Sequence, residues 1–170
     1  MAASLTAILT ALPGTTETRL TLTGSLDEKA AGLLASLRNE IKPGPLVIDL
    51  AGIAAINSNG VRVWSEFLRF VETKTGKGPG SGKGGNVTLT SLSTYFVDYA
   101  NLLPSICGSS TVESFYFPVA CKHCQVQMSV LIGAEGAVAA NDVGEHRCGV
   151  CGDVLADIVP VPDYLCFLLP

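Results

Sequence analysis

The sequence predicts an α/β domain: a mixed β-sheet with helices packed on it, followed by a small cysteine-rich β-hairpin module. Three observations carry this expectation. Segments that alternate polar and apolar residues, as half-buried strands do, interleave with segments whose apolar residues recur every three or four positions, as on one helix face. Two Cys-x-x-Cys pairs stand in the last third of the 170-residue chain. The chain is 48% hydrophobic and 15% charged, against roughly 25% charged in a typical soluble chain, so it has material for a real core.

Residues 4–12 read as the first strand, ended by the turn at Pro13 and Gly14. Residues 18–23, TRLTLT, alternate strictly and form a second strand, close enough to pair with the first as a hairpin that Gly24 closes. A helix is expected from Asp27, with Leu26, Ala30, Leu33, Leu34, Leu37 and Ile41 on one face, stopped by Lys42-Pro43-Gly44-Pro45. Residues 46–50, LVIDL, are a short apolar run, expected as a central strand buried on both faces. Residues 56–60 read as a turn, and Val61, Trp64, Phe67, Leu68 and Val71 mark a second amphipathic helix. A strand at 86–90, a helix at 92–103 and a strand at 112–117, ended by Pro118, complete a domain placed at residues 1–117. No internal repeat is visible.

Residues 74–85, KTGKGPGSGKGG, are half glycine and read as a flexible solvated loop. A phosphate-binding loop is not expected there. Lys77 stands where its first glycine belongs, Gly84 where its Ser or Thr belongs, and the tract follows a helix instead of a strand.

The balance of 15 acidic and 11 basic residues gives a net charge of −4, with no basic patch, so a nucleic-acid partner is not expected. No run of about 18 apolar residues occurs, so no membrane span is expected. Residues 1–12 are apolar but lack a basic lead, which reads as a strand and not an export signal; the expected location is the cytoplasm. Six cysteines there are expected as metal ligands or free thiols, not disulfides.

The sharpest signal is Cys121-Lys-His-Cys124, followed after 23 residues by Cys148-Gly-Val-Cys151. Each tight turn lets two thiolates reach one ion, and two such turns complete a tetrahedron with Zn–S distances of about 2.3 Å. The expectation is one structural Zn²⁺ in a zinc-ribbon module at residues 118–170. Its ribbon would pair a strand at 125–132 with a return strand at 154–159, across a loop of small residues at 133–144. A thioredoxin-type redox pair is the weaker alternative, since it needs one motif beside a βαβ unit. His123 and His146 read as neighbours of the ligands, and Cys107 and Cys166 as buried free thiols.

Residues 24–27 (GSLD), a helix, residues 46–53 (LVIDLAGI), residues 56–61 (INSNGV) and a second helix together resemble the STAS domain. That is the fold of bacterial anti-sigma-factor antagonists and of the cytoplasmic tails of sulfate transporters. The resemblance covers residues 4–117, and the cysteine-rich tail is similar to that of some uncharacterised bacterial STAS-like proteins. The resemblance implies a non-enzymatic signalling role. The turn before the second helix would dock a protein partner, an anti-sigma-type kinase or another STAS-like protein, and phosphorylation of its second hydroxyl residue would weaken docking. Carried over by position, Asn57 falls on the family's Asp, Ser58 on the first hydroxyl residue and Asn59 on the phospho-acceptor, which here has no hydroxyl. Asn57, Ser58, Asn59, Gly60 and Arg62 are then the partner-binding residues, with Arg62 adding positive charge beside the exposed amides of the helix start.

A plainer reading of the same turn stays open: Asn57 or Ser58 is an N-cap. No catalytic residue emerges. Asp49 is a single carboxylate without a partner, and both histidines lie inside the metal module. Beside the adaptor reading stand two alternatives. One is a self-assembling protein that uses sheet edges and the apolar residues 164–170 to form homo-oligomers; the other is a thiol redox protein.

Overall fold

A computed structural model describes residues 3–76 and 86–169. Most of the glycine-rich tract, residues 77–85, lies outside the described residues. The elements run β1 (Thr6–Ala11), β2 (Thr18–Leu26), α1 (Ala30–Glu40), β3 (Leu46–Ile56), α2 (Ser58–Thr75), β4 (Val87–Thr90) and α3 (Thr94–Leu102). A 3₁₀ turn (Pro104–Cys107), β5 (Thr111–Val112), β6 (Ser114–Cys121), β7 (Val126–Gly133), α4 (Ala134–Ala140), β8 (Ala156–Asp157), α5 (Val161–Tyr164) and a last 3₁₀ turn (Cys166–Leu168) follow.

The first sheet has the order β1-β2-β3-β4-β5. β1 and β2 form the antiparallel hairpin that their alternation predicts, and β2, β3, β4 and β5 are mutually parallel. The fold is therefore α/β, a mixed sheet packed with helices. Its apolar face is made by Leu20, Leu22, Leu46, Ile48 and Leu89, all at most 1% exposed. The helices meet that face through α1's Ala30, Leu34 and Leu37 and α2's Val63, Trp64, Phe67, Leu68 and Val71. β3 is not buried on both faces as expected: Val47 and Asp49 on the other face are half-exposed. Trp64 sits at the centre of the helical layer, edge-to-face with Phe96 at 5.7 Å, and its Nε1 donates to the Ile106 carbonyl at 2.8 Å.

Several boundaries move. β2 and β3 run on to Leu26 and Ile56 because they pair with each other over that length, through two register shifts. Leu26 therefore ends a strand instead of opening a helix. Asp27 does not start α1; its Oδ1 accepts the Lys29 N–H at 2.9 Å in a turn, and the helix begins at Ala30. The single strand expected at 112–117 is two strands in two sheets. Ser91, at φ 53°, turns the chain out of β4, and Leu92 then bridges to Phe115 of β6. Ser114 Oγ fixes this fork: it accepts the Ser91 N–H and shares a hydrogen bond with Thr90 Oγ1, both at 2.9 Å.

The second sheet has the order β7-β6-β8, all antiparallel. The ribbon differs from the expected one. β7 pairs with β6, the return strand shrinks to Ala156 and Asp157, and it also pairs with β6, not with β7. Residues 134–140, expected in a loop, form α4, since four of its seven residues are alanine, the best helix former. β6 runs unbroken through positions 117 and 118. The apolar residues near the chain's end, which the alternative reading assigns to self-association, fold back against β6. Tyr164, Leu165 and Phe167 are buried; Phe115 of β6 meets Phe167 edge-on at 5.9 Å, and Phe117 meets Tyr164 edge-on at 5.1 Å. Asn101 of α3 clasps this segment, donating to the Tyr164 carbonyl at 3.2 Å and accepting the Phe167 N–H at 2.9 Å. Among the described residues, no helix is long and apolar enough to cross a membrane.

Candidate metal centre and the rim before α2

The first Cys-x-x-Cys is the turn of the β6–β7 hairpin. β6 ends on Cys121, and Gln125, at φ 54°, reverses the chain into β7. The backbone N–H of Cys124 donates to Cys121 Sγ at 3.3 Å, which folds the second cysteine over the first. The second pair makes a matching turn. Arg147 and Val154 bridge antiparallel, the Cys148 N–H donates to the Asp153 carbonyl at 2.8 Å, and the Gly152 N–H to the Cys148 carbonyl at 2.9 Å. Gly152 closes that turn at φ 79°, where a side chain would be strained.

The two turns face each other, and all four Sγ atoms lie within 4.8 Å of one another. Cys121 Sγ is 3.4 Å from Cys151 Sγ, and Cys124 Sγ is 3.9 Å from Cys148 Sγ. These separations rule out disulfides, and all six cysteines are free. They also match a tetrahedron, whose S–S edge is about 3.8 Å for metal–sulfur bonds of about 2.3 Å. Cys121 and Cys148 are buried, while Cys124 and Cys151 are half-buried. The backbone N–H groups of Cys151 and Val150 draw the Cys148 thiol down to about 7. Cys124, crowded by Cys151 and by its own desolvation, is pushed up to about 12. Four sulfurs this close cannot all ionise unaided, and a cation among them removes the conflict. The residues present fit a metal ion. The histidines stand outside the group: His123 Nδ1 lies 3.6 Å from the Asp153 carboxylate, and His146 Nε2 is 2.8 Å from the Val143 carbonyl.

Of the remaining cysteines, Cys107 is buried as expected, and burial raises its thiol to about 12. Cys166 is exposed instead, its Sγ donating to the Pro162 carbonyl at 3.4 Å.

The second candidate is the step from β3 to α2. Asn57 is extended at φ −124° and is the N-cap: its Oδ1 accepts the Gly60 N–H at 2.8 Å. Its backbone N–H donates to the Leu26 carbonyl at 3.1 Å, and its Nδ2 to Glu28 Oε2 at 3.2 Å. The Glu28 carboxyl is held below its ordinary range by a backbone N–H and by Asn57. Gly60 is required by close approach, because a Cβ there would overlap the Leu26 carbonyl. Asn57 thus caps, and Ser58 and Asn59 do not. Both are exposed on the first turn of α2, and among the described residues neither side chain makes a hydrogen bond. Arg62 lies one turn into α2 and is exposed on its surface. It pairs with Glu66 at 2.9 Å, one turn further along the helix. Sequence reasoning missed Glu28, whose tie to Asn57 spans 29 positions and leaves no local pattern.

Asn57→Ala removes the cap and is expected to cost about 1 kcal/mol of stability, within the usual range for caps. Urea denaturation followed by circular dichroism measures it, and Asn57→Ser, which keeps a capping oxygen, should recover most of the loss. Neither a family model nor a curated protein matches this chain.

Proposed function

We propose that this chain is a non-catalytic adaptor resembling the anti-sigma-factor antagonists, which docks a protein partner at the rim formed by Asn57, Ser58, Asn59 and Gly60. The partner class is an anti-sigma-type kinase or another STAS-like protein. The observation that carries the reading is the bare first turn of α2. Ser58 and Asn59 stand exposed at the start of the longest helix, while Asn57 and Gly60 behind them are tied into the sheet through Leu26 and Glu28. A rigid base under unengaged polar side chains suits recognition by another protein. Asn59 offers no hydroxyl at the family's acceptor position, so the rim stays in its docking-competent form.

The same reading assigns Zn²⁺ to Cys121, Cys124, Cys148 and Cys151. Four soft donors at tetrahedral spacing suit that ion, and with every position taken by protein its part is to cross-link the two turns. Such a cross-link steadies the second sheet and leaves no coordination site for a substrate.

Ser58→Glu tests the docking. The added carboxylate faces any acidic or apolar partner surface, yet it is tolerated at a helix N-terminus. Affinity purification from the native cell should recover an ATP-binding kinase or a STAS-like protein with the unaltered chain and lose it with Ser58→Glu. Thermal melts of the two forms should agree. Equal recovery by a folded Ser58→Glu variant would remove the rim as an interface and leave capping as the motif's role.

A further inference from the structure

Four strands border the two sheets, and three of them are poorly suited to pair with anything else. β5 and β8 have two residues each. β1 has six, likewise without charge or proline, but only Ala7 and Leu9 pack against the core and Ile8 lies on the opposite face, 67% exposed, so its inner row is two residues long against four in β7. β7 differs. Its eight residues pair with β6 on one side, and among the described residues no strand lies on the other. Its sequence, VQMSVLIG, has no charge and no proline, the usual devices that keep an edge from pairing. Val126 and Leu131 are 41% and 52% exposed.

A row of free backbone N–H and C=O groups specifies its own occupant, an extended strand. We infer that the occupant is a second copy of this chain, with β7 pairing antiparallel to β7 about a twofold axis through Ser129. The register follows from the faces. Residues directly opposite in an antiparallel pair share a face. Phe117 and Val119, both buried, stand opposite Val130 and Met128, so Val126, Met128, Val130 and Ile132 make the inner row. An axis at Ser129 sets Val126 against Ile132 of the second copy and Met128 against Val130. All four inner side chains are engaged, and the apolar row runs on unbroken. A slip of one residue would set inner against outer faces. Because β7 is neutral, no like charges meet at the axis. The product is a single six-stranded sheet in a closed dimer. This inference rests on β7 and is independent of the rim.

Light scattering on the full chain, from low-micromolar to millimolar concentration, reads the assembly. The expected mass is twice 17.6 kDa. Ser129 is exposed, so charged substitutions there leave the fold intact, which circular dichroism checks. Ser129→Lys and Ser129→Glu each place like charges face to face at the axis and should each weaken self-association by at least about tenfold. Mixed in equal amounts, the two variants should recover the dimer, because Lys then meets Glu. A chain that stays monomeric throughout overturns the proposal. So does a dimer that survives both substitutions, which would place the interface elsewhere, or a mixture that fails to recombine.

Discussion

Cys148→Ser is expected to strip the metal from the protein and unfold the segment around the second cysteine turn. Its sulfur is one of four in contact range, and three thiolates with one hydroxyl hold zinc far more weakly. Metal binding to such turns is worth about 10–16 kcal/mol in isolated peptides, so the segment it organises has little else to fold it. Between α4 and β8, residues 141–155 have no regular element and a single antiparallel bridge, Arg147 to Val154. Limited proteolysis should therefore cut this stretch in the variant and spare it in the parent. β6 should resist, because Phe115 and Phe117 are held from below by Tyr164 and Phe167 regardless of the metal. Elemental analysis should fall from one zinc per chain to none. A metal-free parent protein with a protease-resistant second turn would show that the sulfur cluster needs no ion.

Trp64→Ala is expected to cost more than any other single change in the first sheet's helical layer. The side chain is fully buried, and removing a ring of this size costs about 3–5 kcal/mol through lost burial and the cavity left behind. The Ile106 carbonyl also loses its donor, which adds about 1–3 kcal/mol if it stays unpaired. Together these rival the total stability of a small domain, about 5–15 kcal/mol. Trp64→Phe keeps most of the packing against Phe96 and should lose roughly half as much. Chemical denaturation read by far-ultraviolet circular dichroism measures both, since Trp64 is the sole tryptophan and its replacement removes the intrinsic reporter. A Trp64→Ala variant within about 1 kcal/mol of the parent would mean that the layer collapses around the gap.

Local chemistry makes some of this architecture legible. TRLTLT alternates because one face of β2 is buried and the other is not, and Trp64, Phe67, Leu68 and Val71 recur as they do because α2 lies on a sheet. The cysteine turns are legible for a similar reason: two sulfurs brought together by one tight turn sit three positions apart. What the sequence hides is decided across distance. β8 pairs with β6 across more than thirty positions, and Ala156 and Asp157 carry no strand pattern of their own. Tyr164 and Phe167 read as a loose apolar end because their partners, Phe115 and Phe117, lie some fifty positions earlier. At the rim, the identity of the capping residue depended on Leu26 and Glu28, which lie in a different stretch of chain.

The clasp made by Asn101 bears on how the protein is synthesised. The helical layer on the first sheet draws its large side chains from residues 20–106, so a nascent chain can close it early. The underside of β6 has no such freedom. Phe115 and Phe117 leave the ribosome well before Tyr164 and Phe167, and until those arrive they are bare. For that interval the growing chain carries an uncovered aromatic strip beside the neutral β7 edge. A chaperone that shields the strip, or a pause that holds the first sheet folded until residues 161–168 emerge, would raise the yield of native protein. A stop codon placed just before Pro160 would leave the strip exposed for good and send the product to aggregates or to proteolysis.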